Sequence, residues 1–99
     1  MAKLIWTDES LAWLREIGDY LAKNSQVAAV RVLEGIIEKA ELLCRHPRSG
    51  GQLLDIYDRE VREILYGHYR IIYEFAEADD AVYVLAVIHS SMDIDRLQL

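Results

Sequence analysis

The stretch HYRIIYEFAEADDAVYVLAVIHSS, residues 68–91, decides the fold of this 99-residue chain. Two apolar runs flank an acidic segment, EADD, and apolar and other residues alternate with the period of two that is typical of β-strands. The pattern predicts an antiparallel hairpin with strands Tyr69–Glu77 and Ala81–His89. A similar run at Glu60–Tyr66 precedes a glycine-containing turn, so we expect an antiparallel meander of three strands.

The last predicted strand is apolar on both of its faces, which marks a central strand that is covered on both sides. We expect helices on one side, and either the C-terminal tail or a partner protein on the other. Alternation along this strand places Tyr83, Leu85, Val87 and His89 on one face, with the residues between them on the other.

The first half of the chain predicts a short strand and two helices. Residues 3–6, KLIW, form the strand, and Thr7 or Asp8 can cap the helix that follows. Its apolar stripe consists of Leu11, Leu14, Ile17 and Leu21, widened by Trp13 and Tyr20. Ser25 can cap a second helix from about Gln26 to Arg45, before proline and glycine residues end it. The apolar face of this helix is expected to consist of Ala29, Val32, Leu33, Ile36, Ile37, Ala40, Leu43 and Cys44.

These elements predict one α+β domain over residues 1–99: a short N-terminal strand, an αα-hairpin and an antiparallel three-strand meander. With 53% hydrophobic residues, a chain of this length can bury one core. Cys44 is the single cysteine, so it cannot form an internal disulfide, and we expect it to pack in the core of a protein from a reducing compartment. No segment has the pattern of a signal peptide or of a membrane span, and we expect a cytoplasmic, bacterial protein.

The formal net charge of −6 argues against nonspecific binding to nucleic acid or to anionic membrane. Charge is unevenly distributed, because residues 45–70 carry 5 arginines against 4 acidic residues, whereas residues 71–99 carry 1 arginine against 6 acidic residues. Guanidinium groups suit carboxylates and phosphates. The cluster therefore indicates either directed contacts with such groups or ordinary salt bridges, and the residues alone leave both alternatives open.

Several kinds of site have no support in the pattern. The three histidines fall in separate predicted elements and no metal-ligand spacing occurs, so we expect neither a metal nor a cofactor. Ser90 and Ser91 follow His89 directly, but adjacent strand residues point to opposite faces, so no nucleophile–base pair is implied. The segment SGG lacks the lysine and the helix of a phosphate-binding loop.

One group of residues could carry chemistry. Tyr69 and Arg70 open the middle strand and His89 closes the last, and these ends meet in an antiparallel pair. Arg62 lies on the preceding strand, near them or at mid-sheet depending on the register. Together the four could hold a phosphodiester and move a proton. The alternative is structural: Tyr69 packs, the arginines pair with nearby glutamates, and His89 ends a strand.

The order of elements and residues resembles the RelE/ParE superfamily of toxins from bacterial type II toxin–antitoxin systems. The resemblance covers nearly the whole chain, through WTDESLAWLREIGDYLAKNSQVAA, IIEKAELLCRHPRSG, VREILYGHYRIIYEF and VYVLAVIHSSMDIDRL. Within these segments it depends on the motif Tyr69-Arg70-Ile71-Ile72-Tyr73 and on Ile17, Tyr20, Pro47, Gly50, Arg62 and His89. The ending with His89, Asp93 and Leu97 is more similar to the ParE branch than to the RelE branch.

The resemblance implies different functions for the two branches. ParE-like members inhibit DNA gyrase by binding, whereas RelE-like members are ribosome-dependent mRNA endonucleases. The acidic charge favours ParE, because an enzyme that enters the ribosome is normally basic, although an arginine that is common near Met92 in the ParE pattern is absent. If the chain is instead a nuclease, Arg62 and Arg70 would bind phosphate, and His89 or Tyr69 would transfer a proton. A third alternative is a non-toxic interaction module on the same fold.

The resemblance also implies partners. A cognate antitoxin would wrap the toxin in a hetero-oligomer and cover the second face of the last strand, and gyrase would be the target. We expect no sequence-specific DNA binding and no membrane contact, and self-association through exposed apolar surface is a further expectation. The partner-binding candidates are Arg62, Tyr69, Arg70, Tyr83, Leu85 and His89.

Overall fold

The computed structural model describes residues 1–53, 58–92 and 97 and has the expected α+β fold, with two helices and one sheet. The elements are β1 (Lys3–Trp6), α1 (Asp8–Ala22), α2 (Gln26–Leu43), β2 (Gly51–Gln52), β3 (Val61–Tyr66), β4 (Tyr69–Ala76) and β5 (Ala81–His89). The three predicted meander strands are confirmed to within one residue at each end. The predicted role of Asp93 lies outside the described residues.

The five strands lie in the order β1-β5-β4-β3-β2. β3, β4 and β5 are successive antiparallel neighbours, as predicted, and β1 pairs in parallel with β5. A parallel pair needs a long connection, which here runs through both helices and then through β2, β3 and β4. β2 was not predicted, because two residues are too few to carry a periodic pattern.

Side-chain caps fix where both helices begin. Thr7 Oγ1 accepts a hydrogen bond from the Ser10 backbone N–H at 3.1 Å and donates to the Val84 carbonyl oxygen at 2.7 Å. The first cap therefore also joins α1 to the centre of the sheet. Ser25 caps α2 by accepting from the Ala28 N–H at 3.1 Å. α2 ends at Leu43, two residues earlier than predicted.

Both helices pack on one side of the sheet, which we call the helix face. Ile36 and Ala40 of α2 are fully buried there against Ile71, Val84 and Val87. Cys44 is buried as predicted, and burial raises the pKa of its thiol. Three assignments to the apolar faces of the helices were wrong, because the chain leaves the outer sides of both helices uncovered: Ile37 is 40%, Leu11 45% and Tyr20 67% exposed.

A β-bulge changes the side of the sheet that residues of β5 face. Ile72 pairs with Ala86 but Tyr73 pairs with Val84, so Leu85 is an extra residue in the ladder. Val84 and Val87 therefore both pack on the helix face. The prediction of strict alternation from Tyr83 to His89 was wrong, since it assumed an unbroken strand.

The other side of the sheet, which we call the far face, is covered by the chain itself. Val61, Ile72, Ala86 and Ile88 are each at most 1% exposed there. The residues that pack against these four include Leu53, Leu85, Met92 and Leu97. Of the two predicted covers, the C-terminal tail contributes Met92 and Leu97. Within the described ranges, no helix combines the length and the apolar character that a membrane span requires.

Candidate functional surface

Tyr69 and His89 face each other across β4 and β5, at the end of the sheet beside the turn between β3 and β4. Their ring centroids are 5.8 Å apart and the rings meet edge to face at 82°. The ring of His68, from the turn, stacks on that of His89 with centroids 6.1 Å apart and an interplanar angle of 14°. Three rings therefore form one cluster, and aromatic pairs of this geometry are favourable contacts.

Ser91 is held against the ring of His89, although the sequence implied no such pair. The Ser91 backbone N–H donates to Nδ1 of His89 at 3.2 Å, and Ser91 Oγ lies 2.7 Å from the same nitrogen. Nδ1 of His89 is therefore engaged within the chain, and Nε2 is the ring nitrogen that remains for an outside partner.

Arg70 lies on the far face, away from this cluster. It follows Tyr69 directly and pairs in register with Ile88, so its side chain leaves the sheet on the opposite side. Its guanidinium forms an ion pair with Glu63, and the Arg70 side chain is only 17% exposed. The structure therefore separates Arg70 from Tyr69 and His89.

Arg62 lies at mid-sheet. It pairs in register with Tyr73, four residues along β4 from Tyr69, which corresponds to roughly 13 Å. Its side chain is 16% exposed, and it donates to Glu60 at 2.9 Å and to the Gly50 carbonyl oxygen at 2.8 Å. Arg62 thus holds the segment between α2 and β2 against the sheet.

The remaining described arginines of the middle segment also form salt bridges, apart from Arg45. Arg48 pairs with Glu60 at 2.8 Å and with Glu77, and Arg59 pairs with Glu74 at 2.6 Å. Hydrogen bonds to the two glutamates raise the pKa of Arg48, and the one to Glu60 is the larger effect. Of the two alternatives for the arginine cluster, these contacts correspond to salt bridges within the chain.

A groove of about 620 Å³ lies between α1 and the Tyr69–His89 end of the sheet. We call it the aromatic groove, since rings from both elements line it. Its lining consists of Trp13, Glu16, Ile17, Tyr20, Leu21, His68, Tyr69, Val87, Ile88, His89 and Met92. Tyr20 is 67% exposed at its rim. Large, accessible aromatic rings of this kind often anchor protein interfaces.

Tyr83 and Leu85 lie elsewhere. Tyr83 pairs with Ile5 of β1 and with Glu74 of β4, and its hydroxyl is 3.5 Å from Asp79. Leu85 packs on the far-face cluster. The six partner-binding candidates are therefore divided between two faces of the sheet, and only Tyr69 and His89 contact each other.

Sequence reasoning did not assign the helical half of the aromatic groove to a site. Trp13 and Tyr20 were interpreted as part of the buried stripe of α1, and His68 as a turn residue. Spacing of seven residues puts Trp13 and Tyr20 on one side of the helix, which could have indicated a surface. Among the described residues, no cluster of three or more histidine, cysteine, aspartate or glutamate side chains could hold a metal ion.

Comparison with protein families identifies a match over residues 4–94. The matching model is the one described as "ParE toxin of type II toxin-antitoxin system, parDE". No curated protein sequence matches the chain significantly.

Solved structures of toxin–antitoxin proteins have the same fold. A chain of the chromosomal ParDE system from P. aeruginosa matches with a TM-score of 0.71 and 16% identity, over 90% of this chain and 96% of that one. A chain of the RelBE2 complex from Mycobacterium tuberculosis matches with a TM-score of 0.68 and 21% identity, over 89% and 96%. The isolated RelE toxin of E. coli matches with a TM-score of 0.63 and 18% identity, over 96% of this chain and 90% of that one. At these identities the likeness shows the fold.

Proposed function

Because the chain belongs to the ParE toxin family of type II toxin–antitoxin systems, we propose that it inhibits DNA gyrase by binding and that a cognate antitoxin neutralises it. The observation that carries the toxin assignment is the family match, which extends over residues 4–94. The net charge of −6 supports a protein target, because phosphate binding depends on positive charge.

The separation of the four candidate residues supports a binding mechanism. A nuclease must hold its phosphate ligands and its proton-transfer groups within hydrogen-bond reach of one substrate. Arg62 and Arg70 are instead engaged with Glu60 and Glu63, on different faces of the sheet. Nδ1 of His89 is already engaged by Ser91. These residues therefore suit recognition and structure better than catalysis.

We place the contact with gyrase at the aromatic groove. Tyr20 stands in solvent at the rim, while Trp13 and Tyr69 are partly buried behind it. Tyrosine and tryptophan lose little conformational entropy on binding and bury a large area, so they often dominate interface energetics. Glu16 is the one carboxylate in the described lining of the groove and would face a donor on gyrase.

A cognate antitoxin is the second partner that the family implies. The P. aeruginosa and M. tuberculosis structures are toxin–antitoxin systems, and we extend that association to this chain. On the far face of the sheet, Met92 and Leu97 of the C-terminal tail already contribute to the cover. Copurification of the chain with the product of its neighbouring gene would test the association directly.

Pulse labelling after induction in a bacterial host tests the toxic mechanism. Thymidine and methionine incorporation are followed side by side, with and without the antitoxin. We expect thymidine incorporation to fall first, because blocked gyrase stops replication before translation is affected, and the antitoxin to restore it. A Tyr20→Ala chain is the matched variant, and Tyr83→Ala, at a partly exposed tyrosine outside the groove, is the control.

The other two outcomes of the labelling experiment would indicate different functions. An early fall in methionine incorporation would contradict gyrase binding and indicate a ribosome-dependent mRNA endonuclease. In that case the double substitution Arg62→Ala with His89→Ala should abolish toxicity. Continued growth with unchanged incorporation of both labels would indicate a non-toxic interaction module.

A further inference from the structure

The outward side of α2 carries an apolar stripe that the fold leaves uncovered. Val27, Val30 and Ile37 recur at helical spacing and are 66%, 54% and 40% exposed. A shallow groove of about 370 Å³ runs along this side and is lined in part by the two valines. Single exposed apolar residues are ordinary, but several that share one side of a helix are typical of a contact surface.

Two opposite charges lie beside the stripe and have no partner within the described part of the chain. Arg31 and Glu34 line the same groove and are both exposed. Neither takes part in the ion pairs that the described residues form. The lining of the groove thus presents one positive and one negative group about one helical turn apart, next to apolar side chains.

We propose that this surface binds a second copy of the chain, with the two α2 helices antiparallel about a two-fold axis. In such a contact residue i meets residue j of the second copy, and residue j meets residue i. Pairing Arg31 with Glu34 of the second copy therefore forms two ion pairs. The same register places Val27 against residues 37 and 38 of the second copy, which brings Val27 close to Ile37.

The charges select this arrangement over its alternatives. A parallel two-fold contact would place Arg31 against Arg31 and Glu34 against Glu34, which is unfavourable. The antiparallel contact is self-complementary, whereas an unrelated partner helix would have to supply the matching charges. The interface is also separate from the aromatic groove, whose helical residues lie on α1.

Sedimentation of the purified full chain across a concentration series tests the proposal. We expect a monomer–dimer equilibrium at about 0.15 M salt, where the mutual repulsion of two chains of charge −6 is largely screened. Arg31→Glu alone and Glu34→Arg alone should each raise the dimer dissociation constant by about tenfold or more, since each turns two attractions into repulsions. Val27→Glu should do the same and leaves the fold intact, because Val27 is 66% exposed.

The decisive sample is an equimolar mixture of the two single variants. In the mixture every 31–34 contact joins a glutamate to an arginine, so the heterodimer should form while each variant alone stays monomeric. The double variant Arg31→Glu with Glu34→Arg should dimerise like the wild type, and Arg15→Glu on α1 should change nothing. A wild type that is monomeric throughout the series, or a mixture that fails to associate, would overturn the proposal.

Discussion

The hydroxyl of Tyr73 accepts a hydrogen bond from the backbone N–H of Gly50 at 3.0 Å, at a fully buried position of β4. The same hydroxyl donates to the Pro47 carbonyl oxygen at 2.8 Å. One side chain thus satisfies two backbone groups of the segment that ends the helical hairpin. A Cβ at residue 50 would lie 2.6 Å from this oxygen, so only glycine fits there without a shift.

Tyr73→Phe should lower the free energy of unfolding by about 1–3 kcal/mol, because it leaves the buried Gly50 N–H and the partly buried Pro47 carbonyl without this partner. Urea unfolding at pH 7 measures the loss. Tyr83→Phe is the matched control, since the Tyr83 hydroxyl is 3.5 Å from Asp79 on an exposed contact. Equal small losses in both variants would show that the buried hydroxyl contributes nothing specific.

The stability that Tyr73 contributes should disappear in alkali. Burial raises the pKa of Tyr73 above its ordinary value of 10.0, so the unfolded chain loses the phenolic proton first. The contribution is therefore complete below about pH 10 and is lost as pH rises through the raised pKa. The difference in stability between wild type and Tyr73→Phe should narrow above pH 10, and a constant difference would contradict this.

Glu60→Gln should lower the stability of the fold at neutral pH but not in acid. Hydrogen bonds from Arg48 and Arg62 lower the pKa of Glu60 below its ordinary value of 4.5, and the bond from Arg48 is the larger effect. The ion pair therefore stabilises the fold above about pH 4.5, and this contribution is lost as pH falls through the lowered pKa. Thermal unfolding between pH 3 and 7 measures it, with the exposed Glu38→Gln as the control. A difference that persists at the acid end would refute the assignment.

Gly35→Ala should destabilise the protein even though alanine is the better helix former by about 1 kcal/mol. A Cβ at residue 35 would lie 1.7 Å from the Tyr66 hydroxyl oxygen, so the ring of Tyr66 must leave its place against α2. In a Tyr66→Ala background, Gly35→Ala should instead raise the free energy of unfolding by up to about 1 kcal/mol. A double-mutant cycle in urea measures the reversal of sign, and additive effects would exclude the contact.

The meander could be read from the sequence because alternation, the two turns and the apolar runs all predict the same strands. The helix caps at Thr7 and Ser25 were equally readable, since their side chains suit that position locally. The bulge at Leu85 could not be predicted, because β5 is apolar on both faces. An extra residue there leaves a run of apolar residues that looks the same.

The candidate site could also be predicted only in part from the sequence. Antiparallel pairing places Tyr69 beside His89, which follows from strand order alone. The positions of Arg62 and Arg70 depend on register and facing, and their glutamate partners depend on side-chain geometry. The contribution of α1 to the aromatic groove depends on how the hairpin packs on the sheet, which periodicity does not fix.

Supercoiling of relaxed plasmid by purified DNA gyrase tests the central claim most directly. The account predicts that the wild-type chain inhibits supercoiling in proportion to its concentration, and that antitoxin added first prevents this. It also predicts that Tyr20→Ala is at least about tenfold weaker, as expected for loss of an interface anchor worth 1.4 kcal/mol or more, whereas Tyr83→Ala is unchanged. Undiminished supercoiling at saturating wild-type chain, confirmed as folded, would contradict gyrase binding.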